Sequence, residues 1–512
     1  MDTVYVGPHP LSAAEVTAVA RGGARVELTE DALAAMKLSR DHIEALAAGS
    51  EPAYGISTGF GALATRHIPA EARTQLQRSL VRSHAASAGP EVEREVVRGL
   101  MILRLRTLAS GRTGVRPETA QTLAALLNSQ LTPVVREFGS LGCSGDLAPL
   151  AHVALALMGE GEVHLPDGTV APTGPALAAA GIAPVELAAK EGLALINGTD
   201  GMLGMLVLAC TDLELLVRAA DIGAAMTVEA LLATDRVFAP DLQALRPQLG
   251  QAASAANLVR LLAGSPVMES HRGPECHRVQ DAYSLRCAPQ VAGAVRDTLA
   301  HAELIAEREL ASVIDNPVVL PDGRVESNGN FHGAPVGYVL DFLAIAAADL
   351  ASISERRTDR MLDVHRSNGL PPFLADDPGV DSGHMIGHYT QAGIVSELKR
   401  LAVPASVDSI PTSAMQEDHV SMGWSAGRKL RRSLDGLTQV LAIEILTAAR
   451  ALDLRRPLLP GPGTAAVVEL LRSEVPGPGP DRWLAPELAT AFGAVRSGAV
   501  VAAAESVIGP LQ

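Results

Sequence analysis

The longest apolar helical run places the tightest constraint on what this chain can fold into. Residues 202–235 read MLGMLVLACTDLELLVRAADIGAAMTVEALLATD, and they are apolar on almost every side of a helix. Such a helix is stable only when other helices cover it. Long helical patterns follow at 336–363, 385–402 and 425–454, and strand-like alternation is scarce. The chain is therefore predicted to be mainly α, with the long helices packed as a central bundle.

The first part of the chain has a different pattern, with shorter elements separated by Gly and Pro. Residues 11–23 predict a short helix ended by glycines, and residues 93–110 repeat apolar positions at helical spacing. Residues 160–184 contain PDG, a turn signal between two short strand candidates. We therefore expect a smaller N-terminal domain over 1–200 and a long-helix bundle with a C-terminal helical region over 201–512.

Composition and charge exclude several classes of protein. The net charge of −15 argues against a nucleic-acid binder, which usually has a basic face. Asp341 and Asp349 interrupt the apolar run around them, so no membrane span is expected, and the N-terminus lacks the apolar segment of a secretory signal. Four widely spaced cysteines form no zinc or disulfide pattern, which favours a reducing cytoplasm. Helices that are apolar all round also favour an oligomer, because one subunit offers limited cover.

The stretch GSLGCSGDLAPLAH, residues 139–152, places a thiol and a hydroxyl between glycines just before a helical run. One interpretation is a turn with Asp146 as the N-cap of the helix. A GxSxG nucleophile elbow is excluded, because residue 146 would have to be glycine. A third interpretation uses the backbone: the unhindered Gly145 nitrogen attacks the Cys143 carbonyl, and Ser144 loses water. The residues alone leave the first and third interpretations open.

Six further stretches carry residues suited to chemistry, and each also has a plain structural explanation. The first three stretches are YGISTGFGAL with Tyr54, RSHAASAG with His84 and EGLALINGTD with Asn197; their plain explanations are, respectively, a core or loop aromatic, a structural histidine and an Asn-Gly helix stop in a left-handed cap. The last three are QDAYSLRCAPQ with Gln280, Tyr283 and Arg286, SNGNFHGAP with Phe331, and MQEDHVSM with Glu417; their plain explanations are a surface ion pair, a surface turn and a solvated charged turn.

The pair His384 and His388 has the i,i+4 spacing that lets two imidazoles share a metal on one helix. No HExxH glutamate lies between them and no third ligand is evident. We therefore expect no metal site here.

Taken together, these stretches resemble the aromatic amino-acid ammonia-lyase family. The resemblance runs from about residue 50 to 425 and rests on eight ordered motifs, any one of which would be weak. The motifs are YGISTGFG, SHAA, GSLGCSGDLAPLAH, EGLALINGT, QDAYSLRCAPQ, SNGNFHG, PASVDSIPTSA and QEDHVSM. The resemblance implies the fumarase/aspartase-like superfamily fold, and a homotetramer whose active sites are built from more than one subunit.

The family's electrophile is 4-methylideneimidazol-5-one (MIO), which forms when an internal tripeptide cyclises and loses water. The tripeptide is usually Ala-Ser-Gly, and the matching residues here are Cys143, Ser144 and Gly145. No external cofactor is implied. Cysteine departs from the common form, but its side chain only decorates the ring.

The resemblance also assigns roles to the candidate residues. A helix beginning after Asp146 would direct its positive end towards the ring. The assignments are Tyr54 as catalytic base, Arg286 as carboxylate ligand, Asn197 and Gln280 as hydrogen-bonding groups near MIO, Tyr283 as an aid to proton handling, and Phe331 as packing.

Substrate choice is implied by His84, in a Ser-His pair typical of histidine-type members, and by Glu417, which matches the acid that binds an imidazole. Met385 matches a residue that lines the imidazole pocket. The implied reaction is non-oxidative elimination of ammonia from L-histidine to give trans-urocanate. His384 and His388 depart from the family pattern SG(F or L)MIAQ and flank Met385.

This departure keeps a second reaction open, in which a histidine aminomutase forms β-histidine or D-histidine. A non-enzymatic homologue that keeps only the helical scaffold is a third possibility. The intact Ser144-Gly145 pair, Tyr54 and Arg286 speak against the third.

Overall fold

The structure is a computed structural model that describes residues 2–49, 55–59, 66–142, 145–273 and 279–512. Helices dominate these residues, which confirms the mainly α class. The helices are α1 (Ala13–Ala20), α2 (Glu30–Ala48), α3 (Arg73–His84), α4 (Arg94–Ala109), α5 (Pro117–Asn128), α6 (Leu147–Leu157), α7 (Thr173–Ala179), α8 (Glu191–Ile196), α9 (Asp200–Ala230), α10 (Pro240–Ala244), α11 (Leu249–Leu261), α12 (Pro266–Glu269), α13 (Tyr283–Arg286), α14 (Ala288–Ala311), α15 (Ala334–Leu362), α16 (Met385–Leu401), α17 (Gly423–Asp453), α18 (Pro462–Arg472), α19 (Ala485–Arg496) and α20 (Ala499–Ile508).

The strands are short and pair locally. They are β1 (Thr3–Val6), β2 (Arg25–Leu28), β3 (Ala88–Glu91), β4 (Thr132–Pro133), β5 (Arg136–Phe138), β6 (Glu162–His164), β7 (Val170–Pro172), β8 (Val318–Val319) and β9 (Val325–Glu326). β1 and β2 are parallel, whereas β3–β5, β4–β6–β7 and β8–β9 are antiparallel. Val163 pairs with Ala171 across the PDG turn, so the predicted hairpin is confirmed.

The chain forms two compact units, and each is discontinuous in sequence. The first contains Met1–Leu208, Ala302–Asp341 and Pro404–Arg428, and it holds all the described strands. The second contains Ala209–His301, Phe342–Val403 and Lys429–Gln512. The first continuous segment ends close to the predicted boundary at 200, but each unit also takes segments from elsewhere in the chain. The simple two-domain division at residue 200 remains a prediction.

Helix α4 lies at the centre of the first unit, and the predicted helix over 93–110 is confirmed. Its arginines are buried because backbone carbonyls accept their guanidinium hydrogens. Arg98 donates to Val19 O and Leu127 O, and Arg104 donates to Ala194 O. A buried charge needs such acceptors to offset the loss of water. The core of this unit is therefore held together by hydrogen bonds from buried arginines as well as by apolar packing.

The long helices of the second unit are joined by one buried carboxylate, which confirms the predicted bundle of long helices. Glu444 on α17 accepts from Thr227 Oγ1 on α9 at 3.0 Å and from Ser354 Oγ on α15 at 2.5 Å. Arg357, also on α15, pairs with the same carboxylate at 2.5 Å, and both side chains are almost fully buried. This network sets the register of three helices that are otherwise largely apolar.

Helix α15 is long and apolar enough to cross a membrane by length and composition. Among the described residues, no other individual helix is both long and apolar enough. Helices α19 and α20, which are bent relative to each other, reach that length and composition only when they are counted together. Of the most apolar window of α15, 61% is buried inside the protein. A buried core helix has the same length and composition.

Candidate active site

Residues 139–152, called the ring-forming motif because the resemblance places the MIO tripeptide there, meet a second loop at Gly145. This residue pairs with Gly198 in a parallel bridge, and the Asp146 N–H donates to Gly198 O at 2.7 Å. Gly145 has φ +74°, and a Cβ atom here would lie 2.0 Å from Gly198 O. Only glycine allows this backbone conformation together with so close an approach. The contact therefore requires glycine at the third position of the tripeptide.

Two more loops of the first unit close on the other side of the motif. Gly142 O accepts hydrogen bonds from Ser421 Oγ at 2.8 Å and from Gly333 N at 3.0 Å. Met422 N donates to Leu141 O at 2.8 Å. Four motif segments that are far apart in sequence are thus brought together: the ring-forming motif, the Asn-Gly loop, the loop around Phe331 and the QEDH turn.

Asp146 begins helix α6 but does not cap it with its side chain, so that part of the cap interpretation is wrong. Its carboxylate instead accepts from Ser140 Oγ at 2.9 Å and from Met202 N at 2.9 Å, in the first turn of α9. The carboxylate thus caps the neighbouring helix, whose free N–H groups lie closer to it. Asp146 is fully buried, and burial raises the pKa of its carboxyl to about 7 despite these hydrogen bonds.

Asn197 ends helix α8 with an extended backbone (φ −107°, ψ 93°), so the left-handed cap interpretation is wrong. Its amide Nδ2 donates to Asn316 O at 3.1 Å. Its Oδ1 is buried and has no hydrogen-bond partner among the described residues. An unpaired buried carbonyl is costly, and this atom lies one residue from the Gly198 contact.

His84 and Glu417 are brought into electrostatic contact. His84 is the last residue of α3, and its Nδ1 lies 2.9 Å from Leu80 O. Because a carbonyl only accepts, Nδ1 carries the hydrogen and Nε2 is an acceptor. Burial lowers the pKa of His84, although the Leu80 carbonyl and the Glu417 carboxylate act to raise it. Glu417 is half-buried and accepts from Thr412 Oγ1 at 3.0 Å. The pair therefore presents a neutral imidazole acceptor and a carboxylate.

Phe331 is half-buried in the turn that leads to Gly333. The next residue, His332, stacks on His419 with ring centroids 5.7 Å apart and planes within 4°. This stack joins the Phe331 turn to the QEDH turn. Its two histidines were not among the predicted site residues, because a stacking partner 87 positions away leaves no local signal.

Gln280, Tyr283 and Arg286 belong to the second unit. Tyr283 and Arg286 are the two ends of the short helix α13, so the prediction that they share a face is confirmed. The Arg286 guanidinium lies over the Tyr283 ring, 4.7 Å from the centroid. Within the described ranges Arg286 has no carboxylate partner, and its buried Nε has no hydrogen-bond acceptor. The surface ion pair is therefore not seen there. Gln280 is exposed.

His384, Met385 and His388 lie at the start of α16, also in the second unit. His384 is buried, its Nδ1 lies 3.1 Å from Thr447 Oγ1, and burial among arginines lowers its pKa to about 3. His388 Nε2 lies 2.6 Å from Glu355 Oε1. The two imidazoles therefore have different partners. In the parts of the chain that the structure describes, no group of three potential metal ligands occurs.

Three predicted site residues, Tyr54, Cys143 and Ser144, lie outside the described residues. Conversely, sequence reasoning missed Lys190 and Asp315, a buried ion pair close in space to Asn197. A lysine directly before a buried apolar helix and the dipeptide Asp-Asn before a proline were the available signals. Neither signal indicates a partner more than a hundred residues away.

Comparisons with known proteins agree on one family. A sequence profile described as aromatic amino acid lyase matches residues 11–473. A histidine ammonia-lyase of Streptomyces coelicolor is 68% identical, over the full length of both chains. The solved tyrosine aminomutase of Streptomyces globisporus is 37% identical with a TM-score of 0.93, covering 99% of both chains. The solved histidine ammonia-lyase of Trypanosoma cruzi is also 37% identical, with a TM-score of 0.90, covering 98% of this chain and 95% of that one.

Proposed function

The chain belongs to the aromatic amino acid lyase family, and on that premise we propose that it removes ammonia from L-histidine to give trans-urocanate. It is a carbon–nitrogen lyase. The observation that carries the choice of substrate is that His84 and Glu417 lie close enough to interact electrostatically. A substrate imidazole needs both partners, because each ring nitrogen left unpaired in a dry pocket costs about 1–3 kcal/mol. The relative at 68% identity has the same activity in its name.

The family implies an internal prosthetic group of the MIO type, and the residues around Gly145 fit it. Position 145 holds glycine, the one residue that the contact with Gly198 allows. Beside that contact, the buried Asn197 Oδ1 has no hydrogen-bond partner among the described residues. We assign the ring to Cys143, Ser144 and Gly145. The Gly145 nitrogen bonds to the Cys143 carbonyl carbon with loss of one water, and Ser144 loses its hydroxyl as a second. An MIO ring held by these residues would supply an electrophilic methylidene carbon, the chemistry that would make the substrate amine a better leaving group.

The chain's own residues hold the substrate and move its protons. Arg286 binds the carboxylate, since a guanidinium matches a carboxylate in a bidentate pair. His84 Nε2 accepts a hydrogen bond from one ring nitrogen of the substrate imidazole. Glu417 accepts a hydrogen bond from the other ring nitrogen or neutralises its charge. Tyr54 removes the β-proton, which requires surroundings that favour the phenolate because a phenol ordinarily titrates near 10.

The remaining assignments complete the pocket. Tyr283 assists proton handling next to Arg286. Asn197 and Gln280 form hydrogen bonds near the ring, Phe331 packs against it, and Met385 lines the imidazole pocket with His384 and His388 behind it. We further propose a cytoplasmic homotetramer with active sites shared between subunits, because the long apolar helices need additional cover.

An aminomutase is the second candidate, since a solved relative at TM-score 0.93 is a tyrosine aminomutase. His384 and His388 are the residues that raised it, but both imidazoles have hydrogen-bond partners inside their own unit. The higher identity to a lyase therefore decides in favour of elimination.

One experiment separates these functions. Purified protein is incubated with L-histidine, and products are followed by chiral chromatography and by the absorbance of urocanate. Urocanate alone supports the lyase, whereas β-histidine or D-histidine would support the mutase. Ser144→Ala should abolish turnover, and intact mass should show the loss of two waters in the natural chain but not in the variant. A natural chain without that loss would overturn the proposed mechanism and support a scaffold protein.

A further inference from the structure

A buried ion pair in the first unit has no part in the function proposed above. Lys190 Nζ lies 2.5 Å from Asp315 Oδ2, and both side chains are fully buried. The ammonium also donates to Thr113 O at 2.8 Å. Burial lowers the pKa of Lys190 and raises that of Asp315, and the attraction between the two partners acts against both shifts. A buried pair of this kind gives little net stability over well-packed apolar side chains, so its presence calls for another explanation.

Hydrogen bonds lead from this pair to Asn197, the residue before Gly198. Asp315 Oδ1 accepts from Asn316 N at 2.8 Å, which holds the Asp315–Asn316 peptide. Asn316 Oδ1 in turn accepts from Ser327 Oγ at 2.9 Å and from Asn328 N at 3.0 Å. Asn316 O accepts from Asn197 Nδ2 at 3.1 Å. The Asn197 amide therefore donates to the carbonyl of a residue, Asn316, whose own N–H is held by Asp315 and whose side chain is held by Ser327 and Asn328.

A second buried cation joins the same two segments. Arg104 donates to Ala194 O at 3.1 Å and to Ile314 O at 3.4 Å, and it pairs with the carboxylate of Asp200. Two cations and two carboxylates thus clamp the loop that contains Asn197 against the loop that contains Asp315. Their charges balance, which is the condition under which such a cluster can be buried.

The direction of the Asn197 amide follows from this arrangement. Its donor end is taken by Asn316 O, so the end without a partner in the described parts of the chain is Oδ1. If the Asn316 carbonyl turned away, Nδ2 would lose its acceptor and the amide could rotate. The site would then present a donor where it now presents an acceptor.

We propose that Lys190 and Asp315 are a positioning pair, which holds residue Asn316 and, through the Asn316 carbonyl, fixes which end of the Asn197 amide stays without a partner beside the contact of Gly198 with Gly145. This inference rests on the proposed function. It assigns the pair a role in ring formation and in turnover, and both should suffer when its charge is removed while the fold is kept.

Asp315→Asn is the direct test, and Glu444→Gln is its matched control. Each substitution replaces a fully buried carboxylate, paired with a cation at 2.5 Å, by its amide. Glu444 lies in the second unit, and its hydrogen-bond partners among the described residues are Thr227, Ser354 and Arg357. Each variant is compared with the natural chain by intact mass, by thermal unfolding, and by kcat and KM for L-histidine.

Both variants should lose thermal stability. Only Asp315→Asn should contain chains that have not lost the two waters. Among its chains that have lost them, kcat should be reduced about tenfold or more with KM changed less, as a misplaced site group does. If all Asp315→Asn chains lose the two waters and kcat is within about twofold of that of Glu444→Gln, the inference is overturned. If Asp315→Asn does not fold, the double variant Lys190→Gln with Asp315→Asn decides in the same way, because it removes both charges of the pair and leaves no buried ion without its partner. A natural chain that itself lacks the two-water loss would instead overturn the proposed function.

Discussion

Replacing Gly145 by alanine tests whether the contact with Gly198 is as tight as the structure requires. The change is best made in a Ser144→Ala background, so that neither chain forms the ring and only backbone packing differs. Gly181→Ala in the same background is the matched control. Gly181 has φ +70°, close to the +74° of Gly145, but no atom lies within 4 Å of its Cβ position.

The expected magnitude follows from three contributions. Alanine in the left-handed region costs roughly 1–2 kcal/mol, of which about 0.4–1 is recovered because the unfolded chain loses freedom. Gly181→Ala should therefore cost about 1 kcal/mol. At Gly145 the new Cβ lies 2.0 Å from Gly198 O, where ordinary contact begins at 3.4 Å, so the backbone must move by about 1.4 Å. Such overpacking costs about 1–3 kcal/mol, and the lost hydrogen bond from Asp146 N costs about 1 more.

Gly145→Ala should accordingly lose about 3–5 kcal/mol of unfolding free energy, which is a large part of the stability of an ordinary domain. Urea unfolding at one protein concentration, followed by circular dichroism, measures the difference from Gly181→Ala. We expect a difference of about 2–4 kcal/mol. If the two variants unfold within about 1 kcal/mol of each other, the close approach of Gly145 to Gly198 does not exist in solution.

Three further predictions concern single side chains. Glu417→Gln should lower kcat/KM for L-histidine about tenfold to hundredfold with unfolding unchanged, and an unchanged kcat/KM in the urocanate assay would remove Glu417 from the imidazole site. The native state holds the Asp146 proton up to about pH 7, whereas the unfolded chain releases it near 3.8. Stability should therefore fall as pH rises between these values, by up to about 4 kcal/mol, and urea titrations of Asp146→Asn should show a flatter profile. His388→Gln weakens the hydrogen bond to Glu355, and thermal unfolding should show a loss of about 1 kcal/mol of unfolding free energy. Urocanate should stay the only product, and a changed product would show that His388 takes part in the reaction.

The fold class and the long helices α9, α15, α16 and α17 could be predicted because their signals are local. The glycines that follow α1 and the continuous apolar pattern of α9 each lie within one stretch of chain. Motif residues that form the contacts around Gly145 were also found, since each lies in a recognisable short pattern. What fails is the direction of polar side chains. Asp146 caps α9 rather than its own helix, because the choice depends on which N–H groups tertiary packing brings nearest.

The same limit applies to the ion pair of Lys190 and Asp315. Its members are 125 positions apart, and each alone is an unremarkable charged residue in the sequence. The left-handed cap expected at Asn197 was wrong for a related reason. The bridge between Gly198 and Gly145 pulls the chain into an extended conformation, and tertiary pairing overrides the local preference of Asn-Gly.

The discontinuity of the two units has a consequence for how the protein is made. The first unit needs Pro404–Arg428 as well as the N-terminal segment, and Ser421 in that late segment holds Gly142. When the ring-forming tripeptide has left the ribosome, almost three hundred further residues must still be synthesised before Ser421 can hold Gly142. If the ring forms as proposed, its closure should require a chain that reaches Ser421, and a truncated product that ends before residue 404 should stay chemically unmodified. The loss of two waters would then record, in the mass of each molecule, whether the segment around Gly142 had met the segment around Ser421.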